Sequence, residues 1–134
     1  MATKANLMAA GMSPYLATML GNTPVVTSVA GTSLGSAFAI AGDQFVTVVT
    51  ASNSGSGLKL PNVGGNNGCR LGDLFWVINT LGAAIQVYAS NSAVFYASGA
   101  SASGNTGITV ATVNGYLFVS LTATTWFGMK AGSA

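Results

Sequence analysis

Short runs of β-forming residues, separated by glycine-rich breaks, limit most strongly how this chain can fold. Residues 57–88 show the pattern: an extended segment ends at Pro61, a GGNNG loop follows, and two apolar runs, FWVIN and AAIQVY, come next. Proline removes a donor from a strand ladder, and clustered glycine and asparagine mark loops. The two apolar runs are joined closely through residues 80–82, so the sequence predicts a β-hairpin between them.

Similar runs occur on both sides of this stretch, at residues 25–29, 37–40, 44–50, 93–96, 108–112, 116–121 and 125–129. Asn114 and Gly115 predict a second hairpin, because both residues tolerate positive φ. Residues 98–107 (SGASASGNTG) are typical of a long surface loop. Strands about 8 to 12 residues apart with glycine-rich turns predict an all-β fold. We expect an antiparallel β-sandwich or barrel, jelly-roll-like, with a short N-terminal helix or arm.

The first residues differ from the rest of the chain. Ser13 is a good N-cap, Pro14 suits the first helical position and Gly21 is a helix stop, which predicts a helix over residues 14–20. A helix of this length is too short to be stable alone, so it must pack on its own domain or on a neighbouring subunit. The expected division is an arm and short helix over residues 1–22 and a β domain over residues 23–134.

Charge is scarce. Lys and Arg together number 4 and Asp 2, so 4% of residues are charged, against roughly 25% in an ordinary soluble domain. A net charge of +2 gives little repulsion between copies, which suits a surface that partners cover; a low-charge secreted protein is the alternative. No stretch reaches the ~18 to 20 strongly apolar residues of a membrane span. Pro14 and its neighbours interrupt the N-terminal apolar region early, so we expect mature sequence rather than a signal peptide.

The residue types present leave little room for catalysis. Without His or Glu, neither a Ser-His-Asp nor a Cys-His arrangement can be built, and the one carboxylate pair is Asp43 with Asp73. Each aspartate precedes an apolar run in a turn context, where its side chain typically binds local backbone amides. Cys69 has no thiol partner in the chain and is expected to be a partly buried thiol. We therefore expect no enzyme, no cofactor and no metal site.

Nucleic-acid binding is not expected either. Lys4, Lys59, Arg70 and Lys130 are scattered, so they form no basic patch and would release few counterions.

Aromatic residues occur as neighbours on predicted strands, in the pairs Phe75-Trp76, Phe95-Tyr96 and Trp126-Phe127. Adjacent strand residues point to opposite faces, so one ring of each pair fills the core and the other faces outward. An outward aromatic on a low-charge protein suits a subunit interface, and a carbohydrate-binding surface is the alternative. The candidate interface residues are Pro14, Tyr15, Leu16, Met19, Leu20, Trp76, Tyr96 and Trp126.

Several segments together resemble small virion proteins of tailed bacteriophages. These are KLPNVGGNNGCRLGDLFWVIN, AAIQVYA and NGYLFVSLTATTWFGM, with the opening AGMSPYLATMLG. In that family an LP segment and a Gly-Asp turn lead into a hydrophobic strand. A V-N … Q/N-VYP hairpin follows, and the chain closes with a strand ending near a Ser/Thr-Thr-Trp. The resemblance covers residues 58–129 and the N-terminal segment, and the chain departs from it after Tyr88, where Ala89 and Ser90 replace the usual proline.

This resemblance implies a non-enzymatic virion component. It would be a capsid decoration (cement) protein that forms a homo-oligomer, with a trimer favoured, and stabilises the head shell. Its partners would be copies of itself and the major capsid protein or other virion proteins, on the exterior of a particle made in the host cytoplasm. The alternative is a head or tail fibre component, or a receptor- or carbohydrate-binding module.

Overall fold

Eleven strands form the fold in the computed structural model, which describes residues 8–11, 13, 25–29, 31–52, 56–64, 68–90, 92–97 and 100–131. In chain order the strands are β1 Val25–Val29, β2 Phe38–Ala39, β3 Val46–Ser52, β4 Gly57–Lys59, β5 Leu74–Asn79, β6 Ile85–Tyr88, β7 Val94–Ala97, β8 Ala100–Ser103, β9 Ile108–Val110, β10 Asn114–Thr122 and β11 Thr125–Ala131. Within these ranges no helix is long and apolar enough to cross a membrane.

The strands form two sheets. One has seven strands in the order β1-β3-β5-β10-β11-β7-β8, and the other has four in the order β2-β4-β6-β9. From β1 to β6 the chain alternates between the sheets, so each strand lies parallel to the strand two places earlier. The chain therefore winds around the core before it forms hairpins.

The predicted all-β sandwich is confirmed, but its sheets are mixed rather than purely antiparallel. Antiparallel pairing joins β5 to β10, β10 to β11, β7 to β8 and β6 to β9. The other pairs are parallel. Among β1 to β6 this is because the chain passes through the opposite sheet and returns to the first sheet in the same direction. The predicted helix over residues 14–20 lies outside the described residues, and every named strand falls within residues 23–134.

The predicted hairpin over residues 74–88 is wrong, because β5 belongs to the large sheet and β6 to the small one. Asn79 shapes the corner between them. Its side-chain Nδ2 donates to the carbonyl oxygens of Ala83 at 2.9 Å and Ala111 at 3.1 Å, and its Oδ1 accepts from the Leu81 N–H at 3.0 Å. One buried amide thus holds the β5–β6 corner against the β9–β10 connection.

The hairpin predicted at Asn114 and Gly115 is also wrong. Both residues belong to β10, while β9 pairs with β6 in the other sheet. The chain turns one residue earlier, at Val113, which has a φ of 48°. A local turn signal marks a change of direction but cannot tell whether the chain stays in the same sheet.

Residues 98–107 are not one long loop, since β8 pairs antiparallel with β7 within them. Its Ala102 packs against the core, while Ser101 and Ser103 are exposed. Small residues of low β-propensity are tolerated here because β8 is an edge strand.

The core combines rings from the large sheet with aliphatic side chains from the small one. Phe75 packs edge-on against Trp126, with ring centroids 5.8 Å apart, and Phe95 packs likewise on Phe118 at 5.7 Å. The small sheet contributes buried aliphatic residues: Leu58, Ile85, Val87 and Val110. Gly128 leaves room for these rings, because a Cβ there would stand 3.2 Å from the Phe118 ring.

We expect Asn79→Ala to lower the free energy of unfolding by about 2 kcal/mol, because buried backbone partners lose their hydrogen bonds. Asn105→Ala is the control; it removes an exposed asparagine and should cost less than about 0.5 kcal/mol. Urea denaturation of both variants measures the difference. Equal effects would mean that the Asn79 amide does not stabilise the corner.

We expect Val113→Asn to raise the free energy of unfolding by about 1 kcal/mol, since a β-branched residue is strained at positive φ and asparagine is not. Val113 is 78% exposed, so little buried surface is lost. Val113→Thr, which keeps the branching, should leave stability unchanged. A gain of the same size in the threonine variant would contradict the explanation.

Candidate interface on the seven-stranded sheet

The outer face of the large sheet is built by strict alternation along its strands. In β5, Phe75 and Val77 point into the core, so Leu74 and Trp76 point away from it. In β11, Trp126 is buried and Phe127 is exposed by the same rule. Each central strand therefore has a core side and an outer side.

Pairing between strands aligns the outer residues into apolar rows. One row crosses four strands and consists of Leu74, Val119, Phe127 and Tyr96. The next row also crosses four strands and consists of Val46, Trp76, Leu117 and Met129. Val48 and Ile78 extend the surface, and Val94 borders Tyr96 on β7. We call these eleven residues the outer apolar face.

Large rings lie in water on this face. Trp76 is 37% exposed, Phe127 39% and Tyr96 49%. Ser101 and Ser103 on the neighbouring β8 pair with Tyr96 and Val94, so the border at this edge is polar and uncharged. The face thus has an apolar centre and a polar border along β8, which is an arrangement found in protein interfaces.

No charged residue of the described ranges contributes to the outer apolar face. Asp43 lies in the loop before β3, Lys59 in the small sheet, and Arg70 and Asp73 in the turn before β5. Lys130 occupies a β11 position that alternates with Met129. The face can therefore be covered without burying a charge.

Two of the predicted interface residues lie on the outer apolar face, and a third lies in the core. Trp76 and Tyr96 both lie on the outer apolar face. Trp126 does not, because it is 2% exposed and packs on Phe75; its neighbour Phe127 faces outward instead. Alternation places adjacent rings on opposite faces of the sheet, but it does not determine which of the two rings enters the core. The remaining candidates, Pro14, Tyr15, Leu16, Met19 and Leu20, lie outside the described residues.

The aliphatic members of the face were missed at the level of sequence. Leu74, Leu117, Val119 and Met129 contribute as much to it as the rings do. The available signal was that β5 and β10 are apolar at both alternating sets of positions. Strands with this pattern are normally covered on both faces.

Asp73 has a structural role in the turn that precedes β5. Its Oδ2 accepts from the Arg70 N–H at 2.8 Å, which confirms the predicted bond to a local backbone amide. Gly72 N–H donates to the Ser120 carbonyl at 2.8 Å, and Ser120 Oγ donates to the Arg70 carbonyl at 2.7 Å. The turn is thereby bound to β10.

Among the described residues, no three His, Cys, Asp or Glu side chains group as metal ligands.

The Cys69 thiol is buried beneath this turn. Burial, and after it the negative charge of Asp73, raise the pKa of Cys69 from 9.0 to about 11. The group is therefore a protonated thiol at neutral pH, which is a poor nucleophile.

An open depression of about 350 Å³ lies at the small sheet, beside Lys59, Pro61 and Ser90. Among the described residues that line it, Lys59 is the one charged side chain. Comparison with models of protein families, with curated proteins and with solved structures finds no match to this chain.

We expect the free energy of unfolding to fall between pH 9 and pH 11 because of Cys69. The unfolded thiol loses its proton near pH 9 and the folded one near pH 11, so rising pH favours the unfolded chain, by at most about 1.4 kcal/mol per pH unit. Cys69→Ala should lose this part of the decline. Urea denaturation of both proteins across this pH range measures it; identical slopes would show that the thiol does not titrate as described.

Proposed function

We propose that this chain is a structural protein of a bacteriophage particle, a capsid decoration (cement) protein. Copies of it associate, with a trimer favoured, and bind the exterior of the head through the major capsid protein or another virion protein. The observation that carries the proposal is the outer apolar face, together with the resemblance of residues 58–129 to small phage virion proteins.

The outer apolar face supports a role in assembly because the domain does not need it for its own core. Phe75, Phe118 and Trp126 already fill the space between the sheets. Large apolar side chains on the opposite side of the same strands add nothing to that packing. The largest apolar patch on a protein surface is often functional, and contact with another molecule is the function that suits this face.

Cementing a shell requires contact area rather than reactive groups. Many weak contacts, repeated by symmetry, add up to a stable coat. The side chains of the described domain suit that task, since Asp73 is engaged in a turn and Cys69 is a buried thiol. We therefore propose a non-enzymatic protein.

A carbohydrate- or receptor-binding module of a fibre is the second candidate. The exposed rings of Trp76, Tyr96 and Phe127 favour it, because flat aromatic surfaces stack on sugars. Glycan binding that Trp76→Ala abolishes without unfolding the protein would establish this function.

The direct test uses purified protein and undecorated heads of the phage whose genome carries the gene. We expect the protein to co-sediment with the heads and to raise the temperature at which they break open. We also propose that the N-terminal arm docks on the capsid lattice. A variant without residues 1–22 is therefore expected to keep its oligomeric state and to lose head binding. A folded oligomer that never binds heads would refute the decoration role.

A further inference from the structure

We infer that a second copy of this chain covers the outer apolar face, with Trp76 and Phe127 at the centre of the contact and Tyr96 near its border. This inference rests on the proposed function in that it assigns an interface to the proposed oligomer. Three observations carry it: the area of the face, its lack of charge, and the position of its rings.

The area suits a stable contact between proteins. The exposed members Leu74, Trp76, Val94, Tyr96, Phe127 and Met129 each leave 37–49% of their surface in water. With ~200 Å² for an aromatic side chain and ~100 Å² for an aliphatic one, and with the half-buried members added, the face presents on the order of 500 Å². The largest patch on a typical monomer spans about 300 to 600 Å² and is often functional. A standard interface buries ~800 Å² per partner, so residues around the face would supply the remainder.

The lack of charge favours a copy of the same chain as the occupant. A partner that recognises this surface gains no ion pair from it, and two identical uncharged faces meet without placing like charges together. A sugar requires hydrogen-bonding groups beside the rings. The eleven members of the face offer none but the Tyr96 hydroxyl, and Thr125, Ser101 and Ser103 stand at the border.

Trp76 and Phe127 lie on strands in the middle of the sheet, and binding energy concentrates near the centre of protein interfaces. Trp76 lies on β5, Phe127 on β11 and Tyr96 on β7, all inside the edge strands β1 and β8. Sheets that pack face to face interdigitate such side chains at a spacing of about 10 Å. Two copies can meet across a two-fold axis, or three can turn their faces toward a common axis.

The experiment measures oligomer mass by light scattering over a dilution series. Phe127→Lys and Tyr96→Lys each place a cation in the face, and Val113→Lys is the matched control, with higher exposure and a position in the β9–β10 connection. We expect the wild type to be an oligomer. Each face variant should raise the dissociation constant about thirty-fold or more, while the control leaves it unchanged.

A second readout follows the face itself. In a Trp126→Phe background, Trp76 is the remaining tryptophan, so acrylamide quenching of its fluorescence should fall as the oligomer forms. Circular dichroism identifies variants that fail to fold, and Phe127→Ser replaces any lysine variant that does. Protection of Trp76 in the oligomer and its loss in Tyr96→Lys would support the inference.

Three results would overturn it. These are a wild type that is monomeric at every concentration, an oligomer that both face variants leave intact, and an oligomer that depends on residues 1–22 but not on Phe127. The last result would make the arm the occupant. An oligomer that the face variants dissociate, but that does not bind phage heads, would refute the decoration role and leave this inference standing.

Discussion

The packing of aromatic rings from one sheet on branched aliphatic side chains from the other is the constraint on which this structure depends. Phe75, Phe95, Phe118 and Trp126 all come from the four adjacent strands β5, β10, β11 and β7. Edge-on contacts between rings add to the area they bury. Because these rings are large, the strand opposite Phe118 carries Gly128, and the second sheet opposes them with aliphatic residues. The corners, held by Asn79, fix the two sheets at the separation this packing needs.

The core is filled by side chains from one side of the strands of the large sheet, so the side chains on the other side are not needed for that packing. An ordinary solvated sheet would place lysine, glutamate or threonine there. Here β5, β10 and β11 carry leucine, valine, tryptophan, phenylalanine and methionine instead. The scarcity of charge in the whole chain and the apolar character of this face are one physical property: few groups on this surface are strongly hydrated. The proposed interface between copies follows from that property.

Sequence reasoning located most strands because β-branched and aromatic runs between glycine-rich breaks are local signals, as in VTVVTAS and LFWVIN. It failed where the answer depends on distant residues. Both predicted hairpins, at residues 74–88 and at Asn114, turned out to be crossings between sheets, since a tight turn serves either path. Trp126 was predicted to face outward, but it is buried and Phe127 faces outward instead. Alternation along a strand does not say which of its two faces packs on the core. β8 was not predicted, because its Ala and Ser residues carry no local strand signal and the strand forms by pairing with β7.

The winding of β1 to β6 between two sheets has a kinetic consequence. Of the strand pairs described, β7 with β8 and β10 with β11 join neighbours along the chain, and all the others join segments far apart in sequence. Such topologies fold slowly, because the chain loses the entropy of closing long loops before the stabilising contacts between distant strands form. β10 and β11 fill the middle of the large sheet, so Phe75 lacks Trp126 and Phe95 lacks Phe118 until residues 114–131 have been synthesised. Folding on the ribosome therefore waits for the last strands, and until then the rings of β5 and β7 stay open to aggregation.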